Sequence, residues 1–158
     1  MVSKIMKYLT FIWVFFIVGQ VFADCPVVSD QAENLITAHT NNVRGGEYCK
    51  YRDIVKTKNI EIILYSIEGA CYKDTITPKG ACGNHFTRYM TGIVNGKEIA
   101  PITVGGKGIF YTKNLEINGE NIIISGLSYL STDPMCCPSK KDSHTYIIDS
   151  GSFKEVKP

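Results

Sequence analysis

The histidines are the first candidates for chemistry in this sequence. There are three, His39, His85 and His144. A pair of histidines with a lysine can act as the acid and base that cleave RNA, so His85, His144 and Lys107 are the candidate set for a small secreted hydrolase or nuclease. His39 falls on the apolar face of a predicted helix, which favours a partly buried packing residue over a catalytic one.

Two other short motifs were tested against known chemistry and neither fits. Ser125 stands in a Ser-Gly pair and lacks the Gly-x-Ser-x-Gly pattern of an acyl-transfer nucleophile. Lys107 lies among Gly105, Gly106 and Gly108, but a phosphate-binding loop needs a following Ser or Thr and a helix, whereas a strand-like segment follows here. The glycines therefore predict a tight turn or bulge. No catalytic residue and no cofactor is predicted.

The cysteines indicate an oxidising compartment. Six lie beyond the N-terminal segment, an even number that predicts up to three disulfides with 15 pairings: Cys25, Cys49, Cys71, Cys82, Cys136 and Cys137. No C-x-x-C pair and no His-x-x-x-His partner is present, so no metal site is predicted.

Cys71 and Cys82 form the best-supported pair, because Pro78 and Gly80 let the intervening loop fold back. Closing a loop of that size stabilises a fold by about 3 kcal/mol on the chain-entropy model.

Cys136 and Cys137 are adjacent, and extended neighbours point to opposite faces. We therefore favour separate bridges from these two to Cys49 and Cys25, with the pairing left open. The alternative is a ring between the two neighbours that acts as a redox switch.

The N-terminus has the three parts of a secretory signal peptide. Lys4 and Lys7 precede an uncharged run from Tyr8 to Val18, and Val21 and Ala23 occupy the −3 and −1 positions of a small-residue cleavage site. The sequence therefore predicts a signal peptide over residues 1–23, cleaved after Ala23.

Two alternatives to cleavage after Ala23 are disfavoured. The apolar run is shorter than the roughly 20 residues that cross a bilayer, so no transmembrane segment is predicted after cleavage. Lipidation at Cys25 would require a small uncharged residue before it, and Asp24 occupies that position. We expect a periplasmic or extracellular protein that is not a lipoprotein.

The net charge belongs to the signal segment. The whole chain has 17 basic and 15 acidic residues, and Lys4 and Lys7 account for the difference, which leaves 15 of each in residues 24–158. A neutral domain releases few counterions from a nucleic acid, so nucleic-acid binding is not predicted.

Residues 24–158 are predicted to form a single β-rich domain with one helix. Asp30 and Glu33 have capping-box spacing, and Gly45 with Gly46 supplies a stop. Strand-like runs then recur with short turns between them: 60–67, 86–94, 98–104, 115–117, 121–130, 145–148 and 152–156. The predicted fold class is α+β, mostly β, with the N-terminal helix packed on a curved antiparallel meander of about six to eight strands, stapled by disulfides.

Tyrosine is abundant in residues 24–158, which have eight. Tyrosine offers a large contact area with few rotors and a polar tip, so a tyrosine-lined surface suits the binding of a protein or a glycan. The competing interpretation is that most of them pack on the sheet.

One segment resembles a known group. Asp133-Pro134-Met135-Cys136-Cys137-Pro138-Ser139 resembles the D-x-x-C-C-P-S signature of a group of exported bacterial domains of unassigned function. The similarity covers about residues 59–153, and the Cys-Cys-Pro-Ser block is its specific element. It implies export and a β-meander rather than an activity. Some members carry a calcium-type loop before the first long strand, which residues 50–53 do not match.

Together these observations favour an exported, non-enzymatic domain that binds a protein or an envelope component, for example as an inhibitor of an envelope-directed hydrolase. The alternatives are the histidine hydrolase at His85 and His144 and the redox protein at Cys136 and Cys137.

Overall fold

The computed structural model describes residues 25–157, so the predicted signal segment and its cleavage site at Ala23 lie outside the described residues. The elements are α1 (Asp30–Asn42), β1 (Gly46–Glu47), a short 3-10 turn η1 (Cys49–Tyr51), β2 (Asp53–Lys56), β3 (Ile60–Glu68), β4 (Phe86–Val94), β5 (Lys97–Gly106), β6 (Phe110–Asn118), β7 (Asn121–Ser128), β8 (Lys140–Asp149) and β9 (Ser152–Val156). The predicted fold class is confirmed, with nine strands in place of six to eight.

The helix α1 forms where the pattern predicts it, but its N-cap is Ser29, one residue before the Asp30 that the capping-box spacing indicates. The Ser29 hydroxyl oxygen accepts a hydrogen bond from the Ala32 amide at 3.3 Å. Ala32 and Ile36 are fully buried on its inner face. Glu33 does not close a capping box and instead reaches Arg52.

The strands form an antiparallel meander in which each long strand pairs with the next. The predicted hairpin turns lie between β4 and β5, β6 and β7, and β8 and β9. Asn95 and Gly96 both have positive φ, 52° and 74°, as do Ser150 and Gly151 at 51° and 78°. This backbone matches the right-handed twist of the strands it joins, which is why Asn-Gly in particular predicts a hairpin.

The meander folds over on itself between β5 and β6. These two strands pair only at Gly106 and Phe110. Gly106 and Gly108 have positive φ, 146° and 77°, so the predicted glycine turn is confirmed. As a result β3–β5 and β6–β9 enclose one apolar core: Ile62, Leu64, Met90, Ile99, Val104, Phe110, Leu115, Ile122, Ile124, Tyr146 and Phe153.

Strand β3 is buried on both faces. Every residue from Glu61 to Ile67 is buried. One face of β3 contributes to the core between the two halves of the sheet, and the other packs with Tyr89 against Ile36 of α1. The near-continuous apolar run of β3 follows from this position between two layers.

The disulfides confirm one prediction and correct another. Cys71 is bonded to Cys82, as predicted. Cys25 is bonded to Cys49, and Cys136 to Cys137, so the predicted bridges from Cys136 and Cys137 to Cys25 and Cys49 are wrong. The loop that carries Cys136 and Cys137 follows β7, whereas Cys49 lies beside β3 at the opposite end of the strand order. Sequence spacing does not reveal this separation.

Candidate functional site

The histidines of the alternative hydrolase function, His85 and His144, have separate surroundings. The Nδ1 atom of His144 lies 2.6 Å from Glu155 of β9, and its ring packs edge-on against Phe110. His85 lies just before β4 beside Gly83. Lys107 contacts the Asn84 side chain rather than either imidazole.

His39 is a packing residue, as its position on the helix predicts. It is half-buried, its Nδ1 lies 2.7 Å from the Tyr65 hydroxyl, and its ring meets Tyr89 edge-on at 4.5 Å. Burial lowers the pKa of His39, which favours the neutral ring. The side chain joins α1 to the sheet.

One end of the sheet forms a groove of about 640 Å³, the groove referred to below. It lies where the Glu68–Phe86 end of the β3–β4 pair meets β6 and the η1 turn, and it is lined by Lys50, Tyr51, Asp53, Ser66, Glu68, Phe86, Arg88, Tyr111, Thr112 and Lys113. A second cavity of about 360 Å³ lies at the Ile60–Val94 end and is lined mostly by branched aliphatic side chains. His85 and His144 line neither cavity.

The wall formed by η1 is fixed at both ends. The Cys25–Cys49 disulfide holds its first residue. Arg52 follows directly, is 7% exposed, and binds Glu33 of α1 and Glu47 of β1 through both carboxylate oxygens at 2.6 to 2.9 Å. Planar two-point pairs of this kind fix orientation as well as distance. Lys50 and Tyr51 are therefore displayed from a rigid turn.

The floor of the groove is Arg88. Arg88 is 6% exposed. Its guanidinium donates hydrogen bonds to four acceptors: the Tyr51 carbonyl oxygen, the Ser66 hydroxyl, the Thr112 hydroxyl and the Asp53 carboxylate. Burial lowers the pKa of Arg88, and the Asp53 charge opposes that shift. Arg88 thus joins η1, β2, β3 and β6 around one buried charge.

The rim of the groove is aromatic. Tyr51 is 61% exposed and Tyr111 is 45% exposed, while Phe86 is half-buried. The ring of Tyr48 lies 4.9 Å from that of Tyr51 and extends the aromatic surface. By contrast Tyr65, Tyr89 and Tyr146 are buried, so some tyrosines pack in the core and others lie on the surface.

The groove mixes charges of both signs. Three cationic side chains, Lys50, Arg88 and Lys113, face two anionic ones, Asp53 and Glu68. Arg88 and Asp53 form an ion pair with each other. The remaining charged side chains, Lys50, Lys113 and Glu68, are exposed. The arrangement offers both donors and acceptors to a ligand. Its lining residues include neither cysteine nor histidine.

The loop with the Cys-Cys-Pro-Ser block forms a separate feature. The Asp133 carboxylate accepts hydrogen bonds from the Leu130 amide at 2.8 Å and from the Ser139 amide at 2.9 Å, so it ties both ends of the loop. These bonds lower the pKa of Asp133, with the Leu130 amide as the main cause. Cys136 and Cys137 are exposed within this loop.

Sequence reasoning missed most of the groove. The abundance of tyrosine predicts an aromatic surface but does not say which tyrosines form it. The available signal was Arg88, a charged residue in the middle of an otherwise strand-like run, since a buried arginine must have partners. Among residues 25–157, no cluster of histidine, cysteine and acidic side chains could hold a metal ion, and no helix has the length and apolarity to cross a membrane.

No protein-family model and no curated protein matches the chain. Among solved structures, a crystal structure of a B. megaterium levansucrase mutant aligns with 14% identity over 67% of this chain and 26% of that one, with a TM-score of 0.36. A similarity of this size assigns neither a fold nor an activity.

Proposed function

We propose that this protein is an exported, non-enzymatic binding domain that uses the groove to recognise an envelope component or a protein. The observation that carries the proposal is the exposure of Tyr51 and Tyr111 above the buried Arg88. Concave sites with aromatic walls and a few fixed polar groups are the usual form of a ligand site. Inhibition of an envelope-directed hydrolase is one concrete version.

Rigidity supports a recognition role. The η1 wall is held by the Cys25–Cys49 bridge and by Arg52, and the floor is held by Arg88. A preorganised site loses little conformational entropy on binding, so more of the contact energy becomes affinity. The disulfides also support export, since such bonds persist in oxidising compartments. The D-x-x-C-C-P-S resemblance supports the same localisation.

The binding proposal is tested on isolated cell envelope. The exported protein, immobilised on beads, is expected to retain envelope material, and Tyr111→Ala is expected to weaken retention. Tyr72→Ala is the matched control, because Tyr72 is 53% exposed but does not line the groove. Equal retention by Tyr111→Ala and the unmodified protein would place recognition elsewhere, and no retention by either would contradict the proposal.

The redox alternative has one observation in its favour, the direct bond between Cys136 and Cys137. In that function a dithiol donor would be oxidised to its disulfide while this bond is reduced to two thiols. Thiol labelling after brief dithiothreitol treatment tests it. The redox function predicts labels on Cys136 and Cys137 before Cys71, which is buried. Simultaneous labelling of all cysteines would argue against it.

A further inference from the structure

The floor of the groove presents donors without acceptors. A guanidinium has five N–H groups, and four of those of Arg88 are used, so one N–H of Nη2 has no partner among the described residues. Ser66 and Thr112 accept from Arg88, and neither hydroxyl donates to another described residue. Ser66 is 4% exposed and Thr112 is 9% exposed. The remaining N–H and the two hydroxyl groups can therefore donate to a ligand in the groove.

The rim supplies the complementary pattern. Asp53 and Glu68 are acceptors, while Lys50 and Lys113 are further donors. A ligand that only accepts, such as a simple anion, would offer no donor to Asp53 and Glu68. A hydroxyl group both donates and accepts, so a ligand rich in hydroxyls can satisfy the floor and the rim together.

The aromatic side chains select among hydroxyl-rich ligands. Tyr51, Phe86 and Tyr111 line the groove, and aromatic rings of this kind can bury the apolar C–H faces of a ring-shaped ligand. A peptide that binds by adding a strand to the sheet would instead need a free strand edge for its main-chain hydrogen bonds. The groove is lined by side chains from η1, β2, β3, β4 and β6 and is not formed along one such edge.

We propose that the ligand of the groove is a glycan of the cell envelope, a chain of hydroxylated sugar rings. This inference rests on the proposed binding function. Tyr51 and Tyr111 stack on the ring faces, while Arg88, Ser66 and Thr112 donate to hydroxyl and ring oxygens of the sugars. The volume of about 640 Å³ lies within the range of sites that hold a ligand of several rings.

The experiment uses isolated cell envelope from the producing cell, divided into three samples. One is untreated, one is digested with a broad protease, and one is oxidised with periodate, which cleaves vicinal diols, and then quenched. The immobilised exported protein is expected to retain the untreated and protease-treated samples and to lose the periodate-treated one. Retention that survives periodate and is lost to protease would overturn the glycan inference and leave the binding function intact. Failure to retain any sample would contradict the binding function itself.

Variants then locate the glycan in the groove. Tyr111→Ala is expected to weaken binding to solubilised envelope polysaccharide about tenfold, since a stacking contact is worth roughly that factor. Tyr111→Phe retains the ring and is expected to stay within about twofold. Tyr111 is 45% exposed, so both variants are expected to fold as the unmodified protein does, and circular dichroism checks this. If Tyr111→Phe loses binding as fully as Tyr111→Ala, ring stacking is not the mode of recognition.

Discussion

At the scale of single residues, Arg52 joins three elements through one guanidinium. Its side chain is 3% exposed and is paired with Glu33 at 2.6 Å and with Glu47 at 2.6 Å. The Glu47 side chain is only 15% exposed, whereas Glu33 is 49% exposed, so removing Arg52 leaves chiefly the Glu47 carboxylate buried without a partner. We expect Arg52→Ala to lower the free energy of unfolding by about 3 to 5 kcal/mol, measured by urea denaturation.

The matched control for Arg52 is Lys154→Ala. Lys154 also pairs with an acid, Asp149 at 3.6 Å, but its side chain is 66% exposed. A solvated pair contributes about 0 to 1 kcal/mol. Similar losses in the two variants would show that the Arg52 pairs are no stronger than a surface contact.

The pairing of Glu33 makes stability depend on pH. Its hydrogen bond from Arg52 lowers its pKa below the ordinary value of 4.5, with burial opposing the shift. A carboxyl whose pKa is lower in the folded state contributes stability above the unfolded pKa and loses it as pH falls through the folded pKa. We expect the urea midpoint to fall less between pH 7 and pH 3 in Glu33→Gln than in the unmodified protein.

Other carboxyls contribute to the same acid transition, so the comparison between the two proteins is what isolates Glu33. The pKa values of Asp74, Asp133 and Asp142 are also lowered by hydrogen bonds from their neighbours. Identical pH profiles for Glu33→Gln and the unmodified protein would mean that the Arg52 pair adds no pH dependence.

Residue roles could be predicted only where periodicity defines a face. His39 lies on the inner face of α1, and its packing role follows from that position. Arg88 lies in β4 beside the buried Tyr89. Its four hydrogen-bond partners come from residues up to 37 positions away in the sequence. No local pattern specifies such partners, because they depend on how the sheet folds.

At the scale of elements, the turn between β5 and β6 places β6, which carries Tyr111, at the groove. The close contact between Gly126 of β7 and the backbone of β6 holds β6 in that position. A Cβ on Gly126 would fall on the Tyr111 carbonyl oxygen and lie 2.8 Å from Cζ of Phe110. Strand β6 would have to move away from β7. We expect Gly126→Ala to destabilise the protein by about 1 to 3 kcal/mol and to weaken ligand retention, since Tyr111 shifts with β6.

Gly46→Ala is the control for Gly126. It is also in a strand, but a Cβ there meets nothing within 4 Å. Thermal unfolding followed by circular dichroism compares the two variants. An unchanged melting temperature for Gly126→Ala would contradict the close approach of β6 and β7.

Elements with strong local signals were predicted well, and short ones were not. The Asn95-Gly96 and Ser150-Gly151 turns specify their hairpins through backbone conformation alone. Strands β1 and β2 have two and four residues and were missed. They are strands because β3 offers a partner edge, at Ile67 for Glu47 and at Leu64 for Asp53, and not because of their own composition.

At the scale of the whole molecule, residues 25–157 build one helix and a nine-stranded antiparallel meander that folds over between β5 and β6. The bend at Gly106–Phe110 encloses the central core, and the buried Arg88 with Thr112 bonds the two halves of the sheet at the groove end. Composition and turn spacing predict the meander, whereas the groove exists only because the bend brings β6 next to β3 and η1. A groove formed in this way has no signature in a contiguous segment of sequence.

The pairing of Cys25 bears on how the whole protein is processed. A lipoprotein carries its lipid on the sulfur of the cysteine that follows the cleaved bond, and the Cys25 sulfur is instead bonded to Cys49. We therefore expect signal cleavage after Ala23, giving a chain that begins at Asp24 and carries no lipid. Intact-mass measurement of the exported protein should give the mass of residues 24–158 less two hydrogens for each disulfide. Ala23→Arg, which removes the small residue before the cleaved bond, should leave the precursor uncleaved. A mass that corresponds to a lipid-modified chain beginning at Cys25 would contradict both the cleavage site and the Cys25–Cys49 bridge.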